Sequence, residues 1–453
     1  MNKTNRNIMQ VSGDHFVLDG QKIILRGFNL GTWMNIENFI MAIPGIDQQI
    51  RQAFAEVYGT NRAKAFFDSF INSFMTEEDF VFLSSLGMNV LRIPMNYRRF
   101  ESDQNPGKYD EEGFQQIDRI LSLCAKYKIF AILDMHTAPG GQNPDWHADN
   151  QTGICQFWYD ASLRARTTQM WSYIANRYKD HLWIAAYDVL NEPALVEDAD
   201  IFNDFYHQVI LEIRKSDPDR VIFLEGNDWA KDFSFLDEPS DPQIAYQFHY
   251  YPSTVKYPEQ YSRTELDALL LPMIHTLQNK FHRPILLGET GIISVEGREA
   301  YYSDLMKMIL DILHENGVSW TLWTYKDAHT MGLVYPKEET TWMTFVKGFK
   351  VAYGMNKQMR KENDLLTYEL DMADDIVNEI EKQHFGQMED AVKKVTTYRI
   401  RAILQYLFLE TALKPKLKQI PWDEIMTYPA SFAWNHCTYC ESLASLLKQY
   451  TSK

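Results

Sequence analysis

The 453-residue sequence contains four cysteines, too few to build a disulfide framework in a chain of this size. It also has no apolar run approaching the roughly 20 residues that a membrane-spanning helix needs. Basic residues are in deficit, with 45 Lys and Arg against 61 Asp and Glu and a formal net charge of −16. Because anionic surfaces repel such a chain, we expect neither a nucleic acid nor an anionic membrane as a partner.

The opening sequence MNKTNRNIMQ lacks the apolar stretch that forms the core of a secretory signal peptide. We therefore expect a cytoplasmic protein, or a secreted protein whose leader has been removed. With 45% hydrophobic and 23% charged residues, the chain has the composition of a protein that buries a large core.

Two of the cysteines, Cys437 and Cys440, form a CxxC motif. Such a pair can be redox-active or can supply half of a zinc site. No second thiol pair completes a ligand set, and the neighbouring sequence AWNHCTYCESL has a helical appearance. We predict two packed thiols on a helix.

Short β-branched apolar runs recur along the first three quarters of the chain, each followed by a segment with helical spacing. Near-continuous apolar runs are typical of parallel strands buried on both faces, and eight of them indicate a (β/α)₈ TIM barrel. The predicted strands are Ile23–Phe28, Val90–Ile93, Ile129–Asp134, Ile184–Leu190, Val221–Glu225, Ile244–His249, Pro284–Gly288 and Ser319–Thr324.

The intervening segments carry helix signals. Thr76 to Asp79 has the pattern of a capping box, and Gly87 follows the apolar positions of the same helix as a stop. Further helices are predicted over 114–127 and 167–178. A hairpin formed by 16–18 and 22–24 is predicted to close one end of the barrel.

From about Gly354 the pattern changes to long, charge-rich helical segments without a strand-like run. We therefore predict a catalytic (β/α)₈ domain over residues 1–353 and an α-helical C-terminal extension over 354–453. Part of the extension would complete or pack on the barrel, and the sequence leaves open whether the rest covers the site or forms a dimer contact. The oligomeric state is unknown from the sequence.

In a (β/α)₈ barrel the catalytic groups project from the carboxyl ends of the strands. The predicted strand ends of this chain are unusually polar. They carry Asn29, Arg92, Asp134, His136, Asn191, Glu192, Glu225, His249, Tyr251, Glu289, Trp323 and Tyr325.

Two glutamates at these ends, Glu192 and Glu289, lie on strands that face each other across the barrel mouth. Cleavage of a glycosidic bond requires at least two facing carboxyl groups, one as proton donor and the other as nucleophile or base. The acid role requires a pKa of Glu192 raised towards ~6 by a partly apolar site. Glu289 must stay ionised, which hydrogen bonds from Arg92 and Tyr251 could ensure.

Aromatic residues make up 14% of the sequence, and several fall near predicted rim loops. Aromatic rings stack on the C–H faces of sugars, so this content is consistent with a sugar substrate. A buried core position is the commoner use of Trp, so we assign at most half of these residues to substrate binding. They are Trp33, Trp146, Trp158, Trp229, Trp323 and Tyr325.

A metal-dependent hydrolase is an alternative, because His136 follows Asp134 by two residues. The first strand is followed by GFNLG, however, without the HxH pattern that metal-dependent amidohydrolase barrels carry there. No HExxH, phosphate-binding loop or dinucleotide fingerprint occurs in a suitable context. We predict that the protein uses no metal and no cofactor.

The strings LRGFNLGTW, LGMNVLRIPMNYRRF, AILDMHTAPGGQN, YDVLNEP, FHYYP, LGETG and WTLWTYKD resemble, in order and spacing, glycoside hydrolase family 5, the cellulase family of clan A. The resemblance covers residues 20–330 and implies a retaining hydrolase that acts by double displacement. It implies that Glu192 is the acid/base and Glu289 the nucleophile. It further implies that Asn191 holds the sugar 2-hydroxyl, that Arg92 and Tyr251 orient the nucleophile, that His136 and His249 line the subsite, and that Trp323 lies under the sugar.

Two details resemble the exo-β-1,3-glucanase branch of this family. In NLGTWMNIENF, Glu37 follows Trp33 by four residues, which resembles the branch segment whose glutamate binds hydroxyls of the terminal sugar. The alternative is that Glu37 is a loop carboxylate that faces solvent. HTAPGGQN is similar to the loop after the third strand. The chain departs from the branch at Thr32, which replaces a glycine, at Pro144 to Phe157, and in its helical tail.

The sequence thus predicts a retaining, exo-acting hydrolase of β-glucosides or β-glucan oligosaccharides. An endo-β-1,4-glucanase or mannanase with an open cleft is the alternative enzyme, and a non-catalytic sugar-binding barrel is the alternative from another class. Loop length distinguishes the enzymes, because the long segments 34–76 and 140–164 could close one end of a cleft.

Overall fold

Eight parallel strands pair in sequence order and close into a barrel, as predicted. The computed structural model describes residues 8–252, 258–293, 299–352, 365–385 and 388–451. The barrel strands are β1 (Arg26–Asn29), β2 (Val90–Asn96), β3 (Phe130–Thr137), β4 (Ile184–Asp188), β5 (Val221–Glu225), β6 (Ile244–His249), β7 (Ile285–Glu289) and β8 (Ser319–Leu322).

The strands are buried on both faces, which explains their near-continuous apolar sequences. Every residue of β2 and of β3 is buried. The backbones of β1 and β2 approach so closely that a Cβ on Gly27 would lie 1.8 Å from the carbonyl oxygen of Val90. Glycine is therefore required at this position.

The first predicted strand was wrong in its extent. Gln21–Ile23 does not continue into β1 but pairs with His15–Leu18, which in turn pairs with Gln10–Ser12. This three-stranded meander contains the predicted hairpin. Its Phe16 packs among residues at the amino ends of the barrel strands, including Phe223 at a ring-centroid distance of 5.7 Å. The meander therefore closes the end of the barrel opposite the polar rim.

The helices surround the barrel and lie between its strands. The capping box at Thr76 is confirmed, since Asp79 accepts from the backbone N–H of Thr76 at 2.8 Å. None of the helices in the described ranges is long and apolar enough to cross a membrane. The α-helices before the tail are Asn38–Met41, Asp47–Tyr58, Thr60–Phe74, Glu77–Ser85, Glu111–Tyr127, Gln156–Tyr159, Ala161–Tyr178, Ala199–Arg214, Asn227–Ala230, Arg263–Phe281, Glu299–Glu315 and Thr341–Ala352.

The tail is mainly helical, as predicted, and it packs on the barrel domain. The predicted boundary at 353/354 lies outside the described residues. Two of the helices, Leu365–Ile380 and Asp390–Phe408, contact each other, and we call them the tail hairpin. Shorter helices follow, at Lys414–Leu417, Trp422–Ile425 and Glu441–Thr451.

The predicted helix around the CxxC motif is wrong. Cys437–Tyr439 is a short strand that pairs with Val334–Pro336, so the tail does contain a strand. The pairing partner lies about a hundred residues away, which local spacing cannot reveal. Cys437 is buried and Cys440 half-buried, and both thiols are free.

A buried lysine joins the tail to the barrel. The Nζ of Lys326 lies 2.7 Å from Asp79 and donates to the carbonyl oxygens of Phe74 and of Phe432, the latter in the tail. The side chains of Lys326 and Asp79 are completely buried. This charge pair fixes the tail against the rim of the barrel.

We expect Lys326→Met to lower the free energy of unfolding by about 3 kcal/mol, because it leaves the carboxylate of Asp79 buried without its cation. Lys64→Met removes an exposed partner of Asp68 and should cost less than about 1 kcal/mol. Chemical unfolding of the two variants tests this difference. Equal losses would show that Lys326 does not have the structural role described.

Candidate active site

The nine residues predicted for the site all lie at the carboxyl-terminal end of the barrel. Arg92 is within β2, His136 near the end of β3, and Asn191 and Glu192 just beyond β4. His249 ends β6, Tyr251 follows it, Glu289 ends β7, Trp323 follows β8, and Glu37 lies in the segment after β1.

Arg92 is the centre of the polar network. Its guanidinium is fully buried and donates to Glu289 Oε1 at 2.7 Å, to Asn191 Oδ1 at 2.7 Å and to Asp188 Oδ2 at 2.9 Å. Another nitrogen contact reaches Asp134 at 3.1 Å. Arg92 therefore connects side chains from strands around much of the barrel. Asp188, inside a predicted apolar run, was missed as a member of this network.

One guanidinium cannot neutralise all the carboxylates around it. Burial raises the pKa of Asp134 to about 8 and that of Asp188 to about 6, although the charge of Arg92 lowers both. Burial likewise raises the pKa of Glu225 well above its usual range. The deeper carboxyl groups thus hold protons at a pH at which free carboxyl groups do not.

Glu289 receives one donor on each carboxylate oxygen. Arg92 donates to Oε1, and the hydroxyl of Tyr251 donates to Oε2 at 2.8 Å. Hydrogen bonds of this kind stabilise the ionised carboxylate and fix its orientation. The geometry predicted for Glu289 with Arg92 and Tyr251 is therefore present.

Glu192 has a left-handed backbone, with φ 48°. A residue of this type adopts that conformation only where its surroundings hold it. Here the backbone N–H of Glu192 donates to Glu225 at 2.6 Å, and its carbonyl accepts from Asn143 at 2.9 Å. These two contacts aim the Glu192 side chain into the barrel mouth.

The carboxylate of Glu192 lies between two histidines. Its Oε1 is 2.7 Å from His249 Nδ1, and its Oε2 is 2.9 Å from His147 Nε2. Burial raises the pKa of Glu192, but the hydrogen bonds and charges of the two imidazoles outweigh burial and hold it well below the ordinary value. The prediction of a raised pKa for Glu192 was therefore wrong for the ligand-free site, because His147 was not foreseen.

The pKa values of the pair favour the proton on His147 over Glu192. Burial lowers the pKa of His147, but the hydrogen bond and charge of Glu192 raise it overall to about 9. The amide nitrogen of Asn143, itself a donor, lies 2.9 Å from the same Nε2 and opposes its protonation. Burial and Asn143 therefore favour release of the proton from His147, whereas Glu192 favours its retention.

Glu192, His249 and Glu289 offer atoms that all lie within 4.8 Å of one another. Three such side chains could in principle hold a metal ion. Each is already engaged, however, since His249 pairs with Glu192 and the cationic Arg92 contacts Glu289. That charge disfavours a divalent cation here, and the predicted absence of a metal stays a prediction.

Glu37 is buried and lines the cavity at the barrel mouth, so it does not face solvent. Its Oε1 has no hydrogen-bond partner in the described residues and lies 3.5 Å from His136 Nε2. Thr32 has φ 71°, the left-handed region that explains the glycine of the related branch. Its hydroxyl accepts from the backbone N–H of Glu37, which the glycine could not do.

The remaining predicted residues also face this cavity or its floor. Trp323 stacks on the ring of His136 with centroids 5.3 Å apart, and His136 Nδ1 contacts Asp134 at 2.8 Å. Burial lowers the pKa of His136. The Nδ2 of Asn191 is buried without a partner in the described residues, so it has a free donor for a hydroxyl group.

The cavity has a volume of about 270 Å³, near the lower limit for small-molecule sites. Three of the six aromatic residues considered from the sequence line it, while Trp33, Trp158 and Tyr325 belong to the core. The lining residues are Glu37, Phe39, His136, Asp145, Trp146, His147, Glu192, Trp229, Lys231, Tyr251, Pro252, Glu289, Gly291, Ile293, Trp323 and Met331.

His147, Asp145 and Phe39 are site residues that the sequence reasoning missed. His147 and Asp145 lie in the segment 144–157, where the chain departs from the pattern it resembles. That departure was the available signal, because a histidine in a rim loop is a candidate proton carrier.

Comparison with known proteins identifies the class. The sequence profile of the family described as cellulase (glycosyl hydrolase family 5) matches residues 51–329. A β-xylosidase of Phanerodontia chrysosporium is 33% identical over 475 residues, and the alignment covers 98% of each chain. The protein is a glycoside hydrolase. It belongs to glycoside hydrolase family 5.

Relatives with other specificities match smaller parts of the chain. Endoglucanase C of Acetivibrio thermocellus is 27% identical over 58% of this chain and 86% of its own length. A probable glucan 1,3-β-glucosidase A of Aspergillus clavatus is 29% identical over 45% of this chain and 50% of its own. Of these three relatives, the β-xylosidase is the one whose alignment spans nearly the whole chain, including the tail.

Solved structures of low sequence identity share the fold. A hyperthermostable endocellulase superposes with a TM-score of 0.53 and 15% identity, covering 77% of this chain and 99% of its own. An endoglucanase of Thermotoga maritima gives a TM-score of 0.52 at 17% identity, covering 68% and 91%. These matches concern the barrel architecture alone.

We expect His147→Asn to change the pH dependence of kcat/KM. The native site should lose activity near pH 9, where His147 releases its proton. Without the proton of His147, the basic limb of the pH profile should move to lower pH by about one unit or more, because the protonation of Glu192 then depends on its own pKa. The exposed His207→Asn serves as the matched control and should leave the profile unchanged. A basic limb at the native position in His147→Asn would contradict the role of His147.

Proposed function

We propose that this glycoside hydrolase is a retaining, exo-acting β-glucosidase or β-glucanase that removes glucose from the non-reducing end of short substrates. The observation that carries the proposal is the pair of facing carboxylates, with oxygens of Glu192 and Glu289 within 4.8 Å of each other. Retaining enzymes place their carboxyl groups about 5 Å apart, whereas inverting enzymes need about 6.5 Å or more to admit a water.

Glu289 is suited to the role of nucleophile. Its carboxylate is held by Arg92 and Tyr251, so it can attack the anomeric carbon without reorienting. The bond from the anomeric carbon to the leaving oxygen breaks as the bond to Glu289 forms. A covalent glycosyl-enzyme results.

Glu192 supplies the proton that the leaving oxygen needs. The pKa of His147, 2.9 Å away, lies above that of Glu192, so we infer that His147 carries this proton and passes it to Glu192 when the substrate binds. After the aglycone leaves, Glu192 is ionised again and takes a proton from the water that attacks the glycosyl-enzyme. The pair returns to its starting state at the end of the cycle.

We infer that the sugar binds groups that have no hydrogen-bond partner among the described residues. The free Oε1 of Glu37 can accept from sugar hydroxyls, and the free Nδ2 of Asn191 can donate to the 2-hydroxyl. Trp323 offers an aromatic face beside them. These contacts support a buried monosaccharide subsite.

The walls of the cavity support exo action. The segment after β1 contributes Glu37 and Phe39, and the segment after β3 contributes the run Asp145 to His147. The tail hairpin adds a further barrier, because Leu365–Ile380 contacts the helix Asn38–Met41, which contains Phe39. A small cavity with these walls suits one terminal sugar better than the middle of a polymer.

A β-xyloside is the second candidate substrate, favoured by the full-length alignment with the β-xylosidase. Glucose and xylose present the same equatorial hydroxyls to Glu37 and Asn191, and they differ at the C5 substituent. β-Glucosides and β-xylosides are therefore the two substrates to compare directly.

A time course of products from β-1,3- and β-1,4-linked gluco-oligosaccharides, a xylo-oligosaccharide and a manno-oligosaccharide tests the mode of action. We expect stepwise release of a single monosaccharide from a gluco- or xylo-oligosaccharide, with the unit-shortened product accumulating. Internal fragments from the β-1,4 or manno series would instead indicate an open cleft and an endo-acting enzyme. The absence of products from every substrate and from aryl β-glycosides would favour a sugar-binding role.

Substitution of the two glutamates tests their roles. Glu289→Gln should abolish turnover of all substrates without changing the fold, because the amide cannot attack the anomeric carbon. Glu192→Ala should slow substrates with poor leaving groups by about 10²–10⁴-fold and spare those with good ones. The exposed Glu339→Gln is the control and should behave as the native enzyme. Appreciable activity of Glu289→Gln, or equal losses on all substrates for Glu192→Ala, would refute the assignments.

A further inference from the structure

The tail hairpin reaches the cavity through one buried arginine. Arg401, on the helix Asp390–Phe408, is 3% exposed, and its Nη1 lies 2.9 Å from Oδ1 of Asp145. Its guanidinium also lies over the ring of Trp146, 4.6 Å from the centroid. Asp145 and Trp146 both line the cavity.

Asp145 also contacts a second tryptophan, Trp229. Its Oδ2 accepts from the indole N–H of Trp229 at 2.9 Å, so one carboxylate joins Arg401 to Trp229. The same face of the tail supports Trp229 directly, because the ring of Tyr398 lies 5.7 Å from the ring of Trp229 and Lys394 lies 4.6 Å from the Trp229 ring centroid.

The tail helix Asp390–Phe408 and the loop after β3 are in close backbone contact. A Cβ on Gly153 would lie 2.7 Å from the carbonyl group of Tyr398. Gly153 has φ 65°, so it meets both the conformational and the steric demand of this close contact. The tail is therefore packed against the loop that follows β3.

Both tryptophans are tied to the neighbourhood of Glu192. Trp146 precedes His147, which contacts the carboxylate of Glu192. The backbone N–H of Trp229 donates to the carbonyl oxygen of Pro193, the residue after Glu192. Since Glu192 protonates the leaving oxygen, this side of the cavity receives the aglycone.

We propose that Arg401 is a positioning residue which, through Asp145, holds Trp146 and Trp229 as the aglycone-binding wall of the pocket. The tail thereby determines which leaving groups the enzyme accepts, and flat, aromatic or sugar aglycones that stack on indole rings are the favoured class. Arg401 acts on the aglycone subsite without touching the reacting atoms. The inference rests on the proposed glycosidase function.

Steady-state kinetics of Arg401→Gln on two substrates tests the proposal. 4-Nitrophenyl β-glucoside has an aromatic aglycone, whereas β-glucosyl fluoride has a leaving group too small to reach the tryptophans. We expect kcat/KM to fall about tenfold or more on the nitrophenyl substrate, mainly through KM, and less than twofold on the fluoride. Equal losses on both substrates, or none on either, would overturn the proposal.

Two further variants and a control make the result independent of one substitution. Asp145→Asn and Trp229→Phe should give the same selective loss, and Arg401→Gln combined with Asp145→Asn should be no worse than either alone. If Arg401→Gln does not fold, these two variants decide the question. The exposed tail variant Lys382→Gln should match the native enzyme on both substrates.

Acrylamide quenching of tryptophan fluorescence separates this proposal from the proposed function, because it requires no turnover. We expect faster quenching in Arg401→Gln than in the native chain and in Lys382→Gln, since Trp146 and Trp229 lose their support. A native chain that cleaves neither substrate would refute the proposed β-glucosidase specificity, and unchanged quenching would refute the role of Arg401.

Discussion

The buried guanidinium of Arg92 is the interaction on which the rest of the site depends. It is one cation among the carboxyl groups of Asp134, Asp188, Glu225 and Glu289, all at the same end of the barrel. The contact with Glu289, at 2.7 Å, is the shortest of them. Burial raises the pKa values of Asp134, Asp188 and Glu225, so these deeper carboxyl groups hold protons more tightly than free carboxyl groups do.

Much of this arrangement could be predicted from the sequence, because a parallel barrel brings strand ends to one rim. The strands are continuous apolar runs, and the residues that follow them, such as Glu192 and Glu289, reach the site through topology alone. The predictions failed where long-range contacts decide. The strand at Cys437 needs Val334–Pro336, and the pKa of Glu192 is set by His147, from a loop whose fold the local pattern does not determine.

Long-range contacts also determine how the tail meets the site, and local sequence patterns do not predict them. The sequence pattern predicted the helices of the tail. Their contacts with the site depend on ion pairs such as Arg401 with Asp145, which are separated by 256 positions along the chain. In the structure the tail packs against the rim loop that carries Asp145 and Trp146, and the β-xylosidase of Phanerodontia chrysosporium aligns over the tail as well as the barrel. Relatives that match smaller parts of the chain carry other specificities in their names. A specificity element outside the barrel is consistent with both facts.

The central claim is that Glu289 forms a covalent bond to the sugar. Incubation with 2-deoxy-2-fluoro-β-glucosyl fluoride, or its xylosyl counterpart, followed by peptide mass spectrometry, tests it most directly, because the fluorine slows release of the glycosyl-enzyme. We expect a single fluoroglycosyl group per chain, attached to Glu289 and absent from Glu289→Gln. Labelling at another residue, or rapid turnover of natural substrates without any trapped adduct, would contradict it.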